Sequence, residues 1–129
     1  MAKVRSVETK PELTVRAAAA LLVQKFQTNC RDLPGCPDIV LRRRRKVVFV
    51  HGCFWHSHHC RAGQNVPVTR KAYWEKKRQG NARRDGRMKR QLWRDGWSVL
   101  TLWECELKNA DRLKQKLATF LRKPRRRRK

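Results

Sequence analysis

At 129 residues and 40% hydrophobic content, the chain is long enough for one modest core and too apolar to stay disordered. Its 34 Lys+Arg against 10 Asp+Glu give a formal net charge of +24, and with seven cations in the final eight residues the body still holds +17. That field selects a polyanion, nucleic acid before an anionic membrane surface, and no apolar run or signal-like h-region directs the chain into a membrane or a secretion route.

In chain order, Thr9-Lys10-Pro11-Glu12 fits a capping box with Pro in the first turn, and predicts a helix over 10–26. Leu13, Ala17 and Leu21 share a stripe, with Ala18, Leu22 and Val23 close by. A short first strand is expected over 27–32, and Leu33-Pro34-Gly35-Cys36-Pro37 is a turn by composition. Asp38 to Leu41 and Lys46 to Val50 are β-branched runs joined by Arg42–Arg45, a loop of hairpin length. Antiparallel pairing at position sums near 87 or 88 sets Asp38 opposite Phe49 or Val50, beside His51. Helical pattern resumes over 69–77 and again over 81–95, where Ala82, Asp85, Met88 and Leu92 lie on one side and Gly96 suits the C′ position. Trp97 to Trp103 reads as a buried strand, with both tryptophans in the core, and 109–121 as an amphipathic helix. The expected fold class is α/β, a mixed sheet flanked by helices, in one domain over 1–121 with a basic tail over 122–129.

All four histidines and two of the five cysteines fall within His51-Gly52-Cys53-Phe54-Trp55-His56-Ser57-His58-His59-Cys60. With no secretion signal, an odd cysteine count argues for a reducing compartment and metal ligation over disulfides. Cys53, His58 and Cys60 offer three ligands, and tetrahedral zinc asks for a fourth. Cys105, directly after the Trp97–Trp103 strand, is the best candidate, with Cys30 and Cys36 as substitutes. Four protein ligands close the site, so this zinc is expected to be structural.

Metal-assisted phosphodiester cleavage needs a hard oxygen ligand, a base for water and stabilisation of the leaving oxygen. Asp38 is the natural carboxylate, a backbone carbonyl near Val50 a second oxygen, and His56 or His51 the base. Magnesium keeps most of its waters and accepts one or two protein carboxylates, so one acid suffices. Against this, Asp38 following Pro37 also reads as a turn residue, and Glu12 as the capping-box acid. Trp55 lies between polar ligands, which disfavours simple burial, while pattern alone leaves Trp74 open.

These residues resemble the very-short-patch (Vsr) DNA mismatch repair endonucleases. The resemblance is carried by Thr9-Lys10-Pro11-Glu12-Leu13, by Asp32-Leu33-Pro34-Gly35 with Pro37-Asp38-Ile39-Val40, and above all by His51-Gly52-Cys53-Phe54-Trp55-His56 with Trp103-Glu104-Cys105 downstream. It implies a restriction-endonuclease-like fold with a structural zinc loop. It further implies a magnesium-dependent nick 5′ of the thymine in T:G mispairs left by 5-methylcytosine deamination. Carried over, Asp38 binds magnesium with the Val50 carbonyl, His56 activates water with His51 assisting, and Glu12 supports the site. Cys53, His58, Cys60 and Cys105 become the zinc ligands, and Phe54, Trp55 and Trp74 aromatic wedges beside the mispair, where unstacking is cheapest. It also implies a monomer on double-stranded DNA in a bacterial cytoplasm, nucleoid-associated, with repair proteins as partners. Val50 stands where threonine is usual and Cys36 where arginine is common, and the chain starts where the family's DNA-contacting arm is already under way. The Arg42–Arg45 run and the tail are expected to add nonspecific phosphate contacts. The competing reading is a non-catalytic, zinc-stabilised basic nucleic-acid-binding protein, from which only the pairing of Asp38 with His56 separates the enzyme.

Overall fold

The structure is a computed structural model that describes residues 10–23, 25–53 and 69–123. Its elements are α1 (Lys10–Ala20), β1 (Gln27–Thr28), β2 (Ile39–Leu41), β3 (Lys46–His51), α2 (Lys71–Arg94), β4 (Ser98–Trp103), a 3-10 turn (Glu104–Lys108) and α3 (Ala110–Arg122). The sheet order is β1-β2-β3-β4, antiparallel except for the parallel β3–β4 pair. This is the mixed sheet with flanking helices that the sequence predicts.

Period-two alternation on β2 and β3 feeds two cores. Ile39, Leu41 and Val48 pack with Val15, Ala18 and Ala19 of α1 and Leu113, Leu117 and Phe120 of α3. Val40, Val47 and Phe49 pack on the other face with Leu92 of α2 and Trp97. The hairpin register is Ile39↔Val48, a sum of 87, as expected. Its turn closes with Arg45 donating to the Arg42 carbonyl, Arg45 being left-handed at φ 52. Two of the four turn arginines are used internally. Arg42 grips the Asp32 carboxylate with both contacts under 3 Å, and Arg45 stacks 4.9 Å over Trp97. Arg43 and Arg44 stay exposed, and neither side chain has a partner among the described residues.

Several elements differ from the sequence expectation. Helix α1 stops at Ala20, six residues early, and its inward face carries Glu12, Val15, Ala18 and Ala19. Leu13 and Leu21 are exposed at 49% and 71%, so the leucine stripe is not the buried one. The helix is rolled so that a carboxylate faces inward at its first turn. Thr9 of the expected capping box lies outside the described residues. The first strand keeps only two residues, because Asn29 turns to φ 51 and ends the ladder. The two helical segments after residue 69 merge into one 24-residue helix that runs straight through Gly80. No proline interrupts it, and its two glycines, Gly80 and Gly86, cost only about 1 kcal/mol each. The 3-10 turn went unread in the sequence. Glu106 fixes it by accepting from the Trp103 N–H at 2.9 Å, and pairs with Lys116.

Lys46 has an apolar neighbourhood and a polar task. It is 2% exposed, and its Nζ donates to the carbonyls of Phe120 (2.6 Å), Leu121 (3.0 Å) and Lys123 (2.6 Å). These acceptors stand at the C-terminus of α3, where the Phe120 carbonyl also takes the Lys123 N–H at 3.3 Å and a cation complements the helix dipole. Burial pushes the ammonium below the usual lysine range, with Arg44 and Lys123 adding to the effect. Lys46→Met keeps the length but strips three carbonyls of their donor. It should cost roughly 3 kcal/mol, read as a lower urea midpoint with an unchanged slope.

Candidate active site

Asp38 stands one residue before β2 and is 8% exposed. Its N–H donates to the Val48 carbonyl at 3.0 Å, which extends the hairpin ladder by one rung. Val50, two residues on, presents its amide edge to the same side. With β2 ended there, the Asp38 side chain takes the place of a strand partner, and Oδ2 accepts from the Val50 N–H at 2.6 Å. The Val50 carbonyl lies past the end of that ladder with β2.

Glu12 brings a second carboxyl to Asp38 from the first turn of α1. The two side chains share a hydrogen bond. Glu12 Oε2 is buried without a hydrogen-bond partner and lies 3.6 Å from Arg16 Nη2. Burial pushes Asp38 up to about 7, opposed by the Val50 N–H, reinforced by the charge and hydrogen bond of Glu12, and opposed again by Arg16. Asp38 therefore keeps its proton to near neutrality, with the Glu12 carboxyl beside it adding to the effect of burial.

The sign of this shift fixes a stability trend. The folded state binds the Asp38 proton more tightly than the unfolded chain, whose value is 3.8. Its contribution is therefore full at low pH and lost as pH rises from about 4 to about 7. Relative to Asp38→Asn, which has no such proton, the wild-type chain in chelator should lose up to a few kcal/mol between pH 5 and pH 7.5. Thermal melts of both proteins across that range check it.

Asp38, Glu12, Val50 and His51 line one cavity of about 570 Å³. His51 closes β3, with its ring 5.7 Å from Phe49 and edge-on to Trp103 at 5.2 Å. Gly35 forms part of the wall at φ +79, where a Cβ would stand 2.9 Å from Phe49 Cε1 and 3.0 Å from Met88 Sδ. The opposite wall comes from α2, through Ala82, Asp85, Gly86, Met88 and Lys89. The sequence reading placed Ala82, Asp85 and Met88 on one side of a helix but gave Asp85 no role. An acid interrupting an otherwise apolar stripe was the available signal. Cys36, considered as a zinc substitute, instead lines this cavity. Burial, and then the charge of Asp38, pushes its thiol up.

The expected zinc ligands divide. The parallel register pairs His51 with Trp103, so Cys53 and Cys105, each two residues further on, leave the sheet side by side. The Cys105 N–H donates to Cys53 Sγ at 3.4 Å, and Cys53 is 1% exposed. His58 and Cys60 lie outside the described residues, as do His56, Phe54 and Trp55. Among the described residues no three His, Cys, Asp or Glu side chains converge on a metal-sized point. Trp74, the remaining expected wedge, is half-buried near the start of α2 and meets Tyr73 edge-on at 5.1 Å.

Comparison with known proteins bears on this arrangement. The sequence model of the family described as DNA mismatch endonuclease Vsr matches residues 1–62. A relative from Xanthomonas oryzae pv. oryzae, "Type II nicking enzyme V.XorIIP", is 45% identical over 121 residues, covering 94% of this chain and 88% of its own. "Type II nicking enzyme V.NmeAIP" of Neisseria meningitidis is 38% identical, over 95% of this chain and 86% of its own. The Escherichia coli protein "DNA mismatch endonuclease Vsr" is 38% identical over 118 residues, 89% of this chain and 75% of that one. The similarity runs through the hairpin that carries Asp38 and onward past the strand that delivers Cys105, and by it the chain belongs to the DNA mismatch endonuclease Vsr family.

Proposed function

We propose that this protein is a DNA mismatch endonuclease of restriction-endonuclease-like fold. It nicks the strand 5′ of the thymine in a T:G mispair by magnesium-dependent hydrolysis and acts as a monomer on duplex DNA in a bacterial cytoplasm, with repair proteins taking over the nick. The observation that supports this best is the buried Asp38 carboxyl, fixed by the Val50 N–H and set beside Glu12 in an open cavity.

The donor set fits magnesium. Asp38, the Val50 carbonyl and Glu12 Oε2, which has no hydrogen-bond partner among the described residues, are hard oxygens, and one or two carboxylates are what this ion takes from a protein. When bound, magnesium supplies the positive charge that phosphoryl transfer to water requires. The chain itself does the rest. Asp38 would give up its proton to hold the ion with Glu12 beside it, and His56 would take the proton from the attacking water. His51, wedged between Phe49 and Trp103, assists from the cavity wall. Phe54, Trp55 and Trp74 select the mispair by inserting where stacking is weakest.

Cys53 and Cys105 fit half of a tetrahedral thiolate site, with His58 and Cys60 as the other half. An N–H donated to a ligand sulfur is a common support for such a site. The zinc pins the segment that carries His56 to the strand that carries His51.

The reading is tested on end-labelled duplexes that differ only in T:G, T:A or C:G at one position. A single nick 5′ of the thymine is expected on T:G alone, with magnesium and not with chelator. Tight retention of all three duplexes with no nick favours the non-catalytic binding protein instead.

A further inference from the structure

Helix α2 carries ten Lys and Arg residues over its 24 positions. Five of them, Lys76, Arg83, Arg87, Arg90 and Arg94, recur at intervals of seven, four, three and four, and so share one stripe. All five are exposed, while Arg78 and Leu92 are buried on the opposite side of the helix. At about 1.5 Å per residue the stripe runs roughly 27 Å. Neither acid of the helix, Glu75 or Asp85, lies on it. No carboxylate among the described residues pairs with any of the five.

Such a ridge repels itself, since like charges three and four residues apart destabilise a helix. A merely solvated helix face is usually laced with both signs. The apolar face of α2 is already committed to the core through Leu92, so the helix cannot lie in a membrane surface by burying apolar side chains. Arg90 ties the ridge to the cavity. Its Nη1 stands 3.4 Å from where a Cβ on Gly86 would be, and Gly86 lines the cavity wall. The row of cations therefore borders the cavity over the same turns of helix that form its wall. A duplex carries one phosphate charge per about 1.7 Å of axis with both strands counted, so the stretch beside a ridge of this length holds about sixteen, of which the ridge meets those on its own side.

We propose that the outer ridge of α2 is a phosphate-binding rail that grips duplex DNA whether or not it contains a mispair, and so holds undamaged DNA alongside the cavity. The choice of duplex DNA as ligand rests on the nuclease reading above. The ridge is a property of this chain's own charge pattern.

The test is the triple variant R83Q/R87Q/R94Q, with R83K/R87K/R94K as the charge-preserving control. Binding to T:G and fully matched duplexes of equal length is followed by fluorescence anisotropy from 50 to 300 mM KCl. The glutamine variant should lose affinity for both duplexes by the same factor, about tenfold or more at the low-salt end. Its log–log salt slope should flatten by about 0.9 for each contact removed. The duplex concentration for half-maximal nicking should rise by that same factor. The lysine variant should keep the wild-type slope. Unchanged affinity and slope, or a loss confined to the T:G duplex, overturns the proposal. So does a loss of poly-glutamate binding with duplex binding intact, which points to an acidic protein partner. A wild-type chain that binds duplex with the steep slope, yields it in the glutamine variant and never nicks refutes the nuclease reading while the rail stands.

Discussion

Asp38→Asn should reduce single-turnover nicking of a T:G duplex by about a thousandfold or more, a barrier increase of about 4 kcal/mol, while duplex binding survives. The substitution preserves shape and keeps an oxygen to accept from the Val50 N–H at 2.6 Å. What disappears is the negative charge. An amide cannot yield a proton to make room for a cation, and Glu12 alone lacks the second carboxylate and the strand-end carbonyl beside it. Because Asp38 is buried and pushed up to about 7, removing its ionisation should also raise the melting temperature in chelator at neutral pH. Loss of activity joined to gain of stability separates a metal-holding carboxyl from a structural one. Nicking within tenfold of wild type would remove Asp38 from the chemistry.

Much of the route to this site was legible in the chain. Alternating β-branched runs on either side of four arginines fixed the hairpin and its register, because a slip of one residue would have turned Val40 and Val47 out of the core. That register in turn put Asp38 next to Val50. The juxtaposition of Cys53 and Cys105 was also readable, since a strand followed by a long helix and a second strand makes a parallel pair whose ends coincide.

The rolled face of α1 was not legible. Leu13, Ala17 and Leu21 form a better apolar stripe by spacing than Glu12, Val15, Ala18 and Ala19 do. Pattern assumes that carboxylates face water. It fails where a buried carboxyl serves a site, and only the spatial position of Asp38 explains why Glu12 turns inward. Asp85 escaped for the related reason that the strand residues lining the cavity with it lie far away in sequence.

Cys105→Ala should lower zinc content from one atom per chain to nearly none and reduce the melting temperature by more than 10 °C. Structural zinc sites contribute folding free energy directly, because the unfolded chain does not hold the metal as tightly. Cys105 is reached by a short 3-10 turn after β4, and its N–H already points at Cys53 Sγ. Cys36→Ala should leave zinc bound, because that thiol lines the Asp38 cavity, and Cys30→Ala should do the same, since its sulfur lies by Gln27 at 3.6 Å. The Cys105 variant should also nick poorly at temperatures where it is still folded. The reason is positional: the segment between Cys53 and Cys60 carries His56, and a zinc held by Cys53, His58, Cys60 and Cys105, as proposed, would anchor it to the end of the sheet. Elemental analysis of the three variants, followed by nicking at 20 °C, decides the assignment. Zinc retained in the Cys105 variant and lost from the Cys36 variant would move the fourth ligand to the catalytic side of the sheet and remove the anchor argument with it.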